Sequence, residues 1–433
     1  MGRIKTTVPG LLVALFAISA VSHAQSDSAR PLDSGFKERA LAHVRYLAGL
    51  GARVAGTEGE SKAAGYVKEQ MEKAGLSVTV EPFQFQSFAL ESALLKVENE
   101  KAEILRLGFN PYSGGDTRTG ELAFVESTND MPTIMKSELD DKIVVTTEAA
   151  NFYRLALVKK PRAVVFLSHQ EFDRLKAGGT RSGEVSFRGR LATTNSANIV
   201  GTLASGAGAG REVILSAHLD SWKGPGANDN ASGVAVLLEL ARHFRSLKPP
   251  PPFSMRFVAF GAEELGMLGA KAYLARHLPE LQNCELLFNI DTVGGDQAIF
   301  ADTRGGVRGV PKKPESQLPK DLNDKATNDL DGRWMLLGPD QRPLLLSSNV
   351  PEWLRAAVSD AGKDLGLEIT AANGMGSDHR VFMQAGIVAT NIAISGAKTH
   401  SPEDVLESVN ADSLEKAARI VSAVVEKAGR VAK

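Results

Sequence analysis

The sequence predicts an α/β protein built on an open sheet, and three observations carry that reading. Three apolar runs of strand length, Val213 to Ala217, Met255 to Phe260 and Leu286 to Ile290, each hand over to a segment bearing acids or a histidine. Between the first two, Val234, Leu237, Leu238, Ala241 and Phe244 form one apolar stripe at helical spacing. With 433 residues, 43% of them apolar, the chain is long enough for one large domain and a smaller one.

Taken in order, residues 1–24 predict an export signal. Arg3 and Lys5 precede the apolar stretch Leu11 to Val21, and Ser22-His23-Ala24 offers the small residues of a cleavage site. That stretch is short for a bilayer span, and no later run reaches the ~20 apolar residues a membrane helix needs. The single cysteine, Cys284, excludes an intrachain disulfide. Removing residues 1–24, which hold two basic and no acidic residues, moves the formal net charge from −1 to −3. Such a balance points to neither nucleic acid nor an anionic membrane as a partner.

From Gly35 to about Phe85 the pattern reads helix, loop, helix, strand. Leu41, Val44, Leu47 and Leu50 recur at helical spacing, as do Ala63, Tyr66, Val67 and Met71. Gly75 fits the second helix's C-terminal cap ahead of the strand-like Leu76 to Val80. Between the helices lies a glycine-bearing loop, Arg53 to Gly59. From about Ser92 the character changes to short β-like runs, among them Glu121 to Val125, Lys142 to Val145 and Ala163 to Leu167, and an inserted domain is expected at 93–190. The Pro249 to Pro252 run must stop the 234–244 helix. Residues 302–333 are long for a connection and rich in Gly, Pro, Lys and Asp, as in a solvated insertion or a lid.

Five segments, His218-Leu219-Asp220, Asn228-Asp229-Asn230, Glu263-Glu264, Asn289-Ile290-Asp291 and Thr399-His400-Ser401, scatter histidine and carboxylates in the types a two-zinc hydrolase requires. Such a site needs imidazole and carboxylate ligands, a bridging carboxylate, an open position for water and a separate base. Positions two apart on a strand share a side, so Asp220 can hold the ring of His218. Neighbours in extended chain point apart, so Glu263 and Glu264 should have different jobs. Each segment alone reads as solvated charge; five at strand ends, where open α/β sheets place their sites, read as one ligand set.

In these segments the chain resembles the M28 family of zinc metallopeptidases, which includes aminopeptidases, glutamate carboxypeptidases and carboxypeptidase Q-like enzymes. The resemblance implies a three-layer α/β/α sandwich of the zinc exopeptidase type, formed by residues 25–92 and 191–433, with the 93–190 insertion similar to a shortened protease-associated domain. It implies two zinc ions per chain: His218, Asp229 and Asp291 on one, Asp229, Glu264 and His400 on the other, with Asp229 bridging. Glu263 would be the catalytic base that deprotonates a water between the ions, and Asp220 the partner of His218. Ser377-Asp378-His379 resembles a pocket-lining segment of the family, and Arg53 to Gly59 the loop that opens many of its catalytic domains. His243, His169, His277, Met375 and Trp353 are expected to pack or face solvent.

Where some members carry a tyrosine to steady the oxyanion, this chain has Gly374 and Thr399, which leaves that donor unassigned. The expectation is an exported, periplasmic or secreted exopeptidase acting on peptides, an aminopeptidase first. The alternatives are a carboxypeptidase or dipeptidase, suggested by His218-Leu219-Asp220-Ser221-Trp222, a one-zinc glutaminyl cyclase, and a metal-free receptor-like binding protein.

Overall fold

The computed structural model describes residues 30–107, 115–126, 131–147, 159, 161–179, 181–204, 210–222, 224–301, 325–328, 334–336, 350–367, 369–372, 376–396, 398–400 and 402–429. The expected export signal, Met375 and most of the 302–333 loop lie outside them.

The strands in chain order are β1 (Ser77–Val97), β2 (Glu100–Glu103), β3 (Arg106–Leu107), β4 (Gly115–Phe124), β5 (Ile143–Thr146), β6 (Ala163–Phe166), β7 (Ser182–Leu203), β8 (Glu212–His218), β9 (Ser254–Phe260), β10 (Cys284–Ile290), β11 (Gln297–Ala301), β12 (Lys325–Asn328), β13 (Trp334–Leu336), β14 (Thr370–Ala372) and β15 (Ala389–Ser395). At the centre, β15, β10, β8 and β9 run parallel. Antiparallel β11 and β7 flank them, so the sheet is mixed. The three apolar runs seen in the sequence become β8, β9 and β10. Every residue of β8 is buried, which is what a strand covered on both faces demands.

Helices Phe36–Gly49, Glu58–Lys73, Gly233–Ser246, Glu352–Asp364 and Ala411–Ala428 pack together on one face, and Leu268–His277 and His379–Gln384 on the other. This is the three-layer α/β/α arrangement. On the second face the rings of Phe260, Tyr273 and Phe382 pack with centroids 5.6 to 6.2 Å apart. The core is dense enough that Leu287→Ala, at a fully buried position, would cost about 2–5 kcal/mol. Gly75 ends its helix at φ 82, a conformation that favours glycine.

A second, separate core gathers Leu95, Val97, Leu122, Ile143 to Val145, Ala163 to Leu167, Phe172, Val185 and Phe187. β1 and β7 link it to the first core: they pair antiparallel from Ser77↔Thr202 to Lys96↔Glu184, with one irregularity between Leu90 and Ser92. Both strands therefore pass through the positions where the sequence suggested that one unit gives way to another.

Candidate metal centre

The C-terminal ends of β8, β9 and β10 are adjacent, so the segments that follow them converge. His218 is the last residue of β8 and is buried. Asp229 lies in the turn Ala227–Ser232 that leads into the helix Gly233–Ser246. The turn is entered through Gly226 at φ 54, where a Cβ would strike the carbonyl oxygen of Asp229 and Cβ of Ser221, so only glycine fits. Glu263 and Glu264 follow β9, Asp291 follows β10, and His400 arrives on the loop after β15 at φ 61.

The side chains form two groups that share one residue. His218 Nε2 lies 3.1 Å from Asp229 Oδ1 and 3.3 Å from Asp291 Oδ1. His400 Nε2 lies 2.9 Å from Asp229 Oδ2 and 3.3 Å from Glu264 Oε2. Each group offers three donor atoms within 4.8 Å of one another. Tetrahedral zinc with ligands at about 2.0–2.1 Å separates them by about 3.3 Å, so the spacing and the imidazole and carboxylate chemistry both fit that ion. The two oxygens of Asp229 point to opposite groups, as a bridge requires. The groups differ in exposure: the His218 side chain is 1% exposed and that of His400 40%.

The electrostatics follow from this crowding. Burial disfavours the charged form of His218, but Asp291, Asp220 and Asp229 outweigh it and hold the imidazole well above its usual pKa. Burial likewise opposes the charge on His400, and Glu264 and Asp229 reverse the balance. Burial raises the Asp229 carboxyl, yet the two histidines bring it below the ordinary range. Glu263, which belongs to neither group, is pushed well above the usual carboxyl value, first by burial and then by the charges of Asp378, Glu264 and Asp291 against the opposing His218. Glu263 is half-buried whereas Glu264 is buried, so the adjacent acids do meet different surroundings.

Asp220 does more than face His218. Its Oδ1 is 3.4 Å from His218 Nδ1. The same Oδ1 accepts the Glu263 N–H at 3.0 Å, and Oδ2 accepts that of Glu264 at 3.1 Å. Asp404, which the sequence reading does not single out, treats the Asp229 turn in the same way, accepting the N–H groups of Asn228 at 2.8 Å and Asp229 at 2.9 Å. Asn230 ties that turn to the Asp291 loop, its Oδ1 accepting from Thr292 N at 3.1 Å and its Nδ2 donating to Ile290 O at 2.9 Å. Below the site Asn289 accepts from Ser216 Oγ at 2.6 Å and donates to Ser377 Oγ at 2.7 Å and Asn391 Oδ1 at 2.8 Å, locking β8, β10 and β15 in register.

Among the described residues, the other histidines belong to neither group. His379 is buried, and burial pushes its pKa down to about 3. His243 is buried beside Phe244. His277 bonds Glu81 at 2.8 Å and Glu280 at 3.1 Å. Trp353 packs against the main core. Trp222 lies against His400, ring centroids 5.7 Å apart.

Residues 198–425 match the model of peptidase family M28. Aminopeptidase YwaD of Bacillus subtilis is 34% identical over 226 residues, 50% of this chain and 41% of that protein, so the match spans less than half the relative's length. The probable lipoprotein aminopeptidase LpqL of Mycobacterium tuberculosis is 25% identical over 67% of this chain and 70% of its own length. Among solved structures, an aminopeptidase from Aneurinibacillus sp. strain AM-1 superposes with a TM-score of 0.62 at 25% identity, covering 90% of this chain and 93% of that one. Acids and histidines gathered at the ends of parallel strands, in two groups sharing one carboxylate, are a donor set suited to divalent metal. The chain belongs to peptidase family M28.

Proposed function

We propose that the chain is an exported aminopeptidase that works with two zinc ions. The observation that carries this reading is the pair of three-residue groups sharing Asp229. His218, Asp229 and Asp291 would hold one ion, and Asp229, Glu264 and His400 the other. Bound zinc supplies Lewis acidity toward a peptide carbonyl and lowers the pKa of water.

The remaining steps fall to the chain. Glu263, outside both ligand groups and with a carboxyl that burial holds well above its usual value, takes the proton of the attacking water and returns it to the leaving amine. Asp220 orients His218 through Nδ1 and fixes the backbone that carries Glu263. That YwaD and the Aneurinibacillus enzyme are aminopeptidases supports the amino-terminal direction. Export rests on residues 1–24 and accords with the name of LpqL. Residues 93–190, which hold none of these side chains, form an accessory unit around the second core.

The test is digestion of one peptide in three forms, free, N-terminally blocked and C-terminally blocked. Stepwise loss from free N-termini that stops on chelation is expected. Cleavage of the free and N-blocked forms but not of the C-blocked one would establish the carboxypeptidase alternative, and cyclisation of N-terminal glutamine without hydrolysis the cyclase one.

A further inference from the structure

Residues 53–60 precede the stretch that matches the family model, yet both ends of this short segment reach the loops that carry the ligand set. At one end Arg53 is fully buried. Its guanidinium donates to the carbonyls of Leu219 at 2.9 Å, Gly226 at 3.1 Å and Leu47 at 3.3 Å, and to that of Pro225. Its own N–H donates to Ser221 Oγ at 3.0 Å, and its carbonyl accepts the Ser221 N–H at 3.3 Å. Leu219, Ser221, Pro225 and Gly226 all belong to the loop that joins His218 to Asp229. A planar guanidinium with several fixed donors sets such a loop's shape far better than a flexible ammonium would.

At the other end Glu60 is buried, with Oε2 accepting the Gly56 N–H at 2.7 Å and Oε1 accepting from Ser196 Oγ at 2.8 Å and Ala262 N at 3.1 Å. Ala262 immediately precedes Glu263 and sits at φ 53, a left-handed conformation that disfavours alanine and must be held by its surroundings. Asp220 takes the next two amides, so the consecutive N–H groups of Ala262, Glu263 and Glu264 all end on two buried carboxylates. One end of the segment therefore shapes the path between two ligands, and the other shapes the turn that carries the base.

We propose that Arg53 and Glu60 are positioning residues with separable effects: Arg53 sets the spacing of His218 and Asp229 and thereby metal affinity, while Glu60 sets the placement of Glu263 and thereby turnover. This rests on the preceding reading, in which His218 and Asp229 bind metal and Glu263 is the base. A residue with only a structural role would lower stability and every activity parameter together. These two pull different parameters.

The experiment compares Arg53→Lys and Glu60→Gln in the full zinc-loaded chain, measuring zinc affinity by chelator competition, kcat and KM on an amino-acid amide, and thermal melting. Arg53→Lys is expected to weaken zinc retention about 10- to 100-fold, with activity recovered on adding zinc. Glu60→Gln is expected to hold zinc as the parent does while kcat falls about tenfold or more at little change in KM. Parallel loss of affinity and turnover in both variants, or no change in either, overturns the proposal. Should one variant fail to fold, Ser221→Ala, which removes the hydroxyl's bonds to Arg53 N–H and Gly224 O, and Ser196→Ala, which removes the bond to Glu60, are read by the same criterion. A parent chain that binds no zinc, or Glu263→Gln with full turnover, overturns the preceding reading instead, and both are measured first.

Discussion

Asp220 accepts the backbone amide of Glu263 at 3.0 Å with the same oxygen that lies 3.4 Å from Nδ1 of His218. A single carboxylate thus couples the orientation of a ligand to the placement of the base. In Asp220→Asn one oxygen becomes an NH2 group, which must face either an amide N–H or the ring. The expected loss is about 10- to 100-fold in metal retention or activity. Zinc content after dialysis and kcat/KM check it, and an unchanged variant returns Asp220 to an ordinary strand-end acid.

Glu263→Gln is expected to keep both metals while losing at least ~10²-fold in turnover, the low end for removing a general base. Elemental analysis alongside kcat decides the matter. If Glu263→Gln strips metal and Glu264→Gln does not, the two acids have the opposite roles.

Elemental analysis of the purified chain should give two metals. Asp229→Ala should lose both, because its two oxygens serve the two groups, whereas Asp291→Ala and Glu264→Ala should each lose one. Loss of a single metal from Asp229→Ala would sink the shared-ligand arrangement.

In the metal-free chain His218 and His400 have raised pKa values, so their protonated, carboxylate-paired forms stabilise the fold below the ordinary imidazole pKa. That contribution is lost as pH rises through the raised folded values. Zinc needs the neutral rings and must displace those protons, so zinc affinity is expected to rise with pH by roughly tenfold per unit for each proton released. Competition titrations and melting curves at pH 6, 7 and 8 should show the metal-free form weakening and the zinc-loaded form gaining. A flat affinity profile contradicts the reading.

Replacing residues 91–188 by a Gly/Ser turn joins Leu90 to Gly189, which face each other across β1 and β7. The shortened chain should bind two metals and cleave small amides, but with a different preference across a dipeptide-to-decapeptide series. An identical length profile would make the second core a structural appendage.

The candidate set was legible because histidine is scarce here, eight in 433 residues, and because apolar strand-length runs place His218 and the acids at strand ends that a parallel sheet then aligns. Arg53, Glu60 and Asp404 were not legible as site residues. Their partners are backbone N–H and C=O groups, which nearly every residue carries, so no pattern of residue types marks them. The start of β1 was legible in Leu76 to Val80, but its continuation was not. The reading stops at about Phe85, whereas the strand runs on to Val97, and side-chain bonds from Gln84 to Asn195 and Gln86 to Thr193, both 3.0 Å, join its polar positions to β7.

The length of β1 and β7 has a mechanical consequence. Nineteen residues of β1 pair with β7 in a ribbon roughly 65 Å long, so the second core is mounted on a girder rather than slung between slack tethers. The ribbon's hydrogen-bonded pairing is broken at one irregularity alone, beside Glu91. The strand that reaches the second core is thus the same one that carries Ser196, the residue whose hydroxyl holds Glu60.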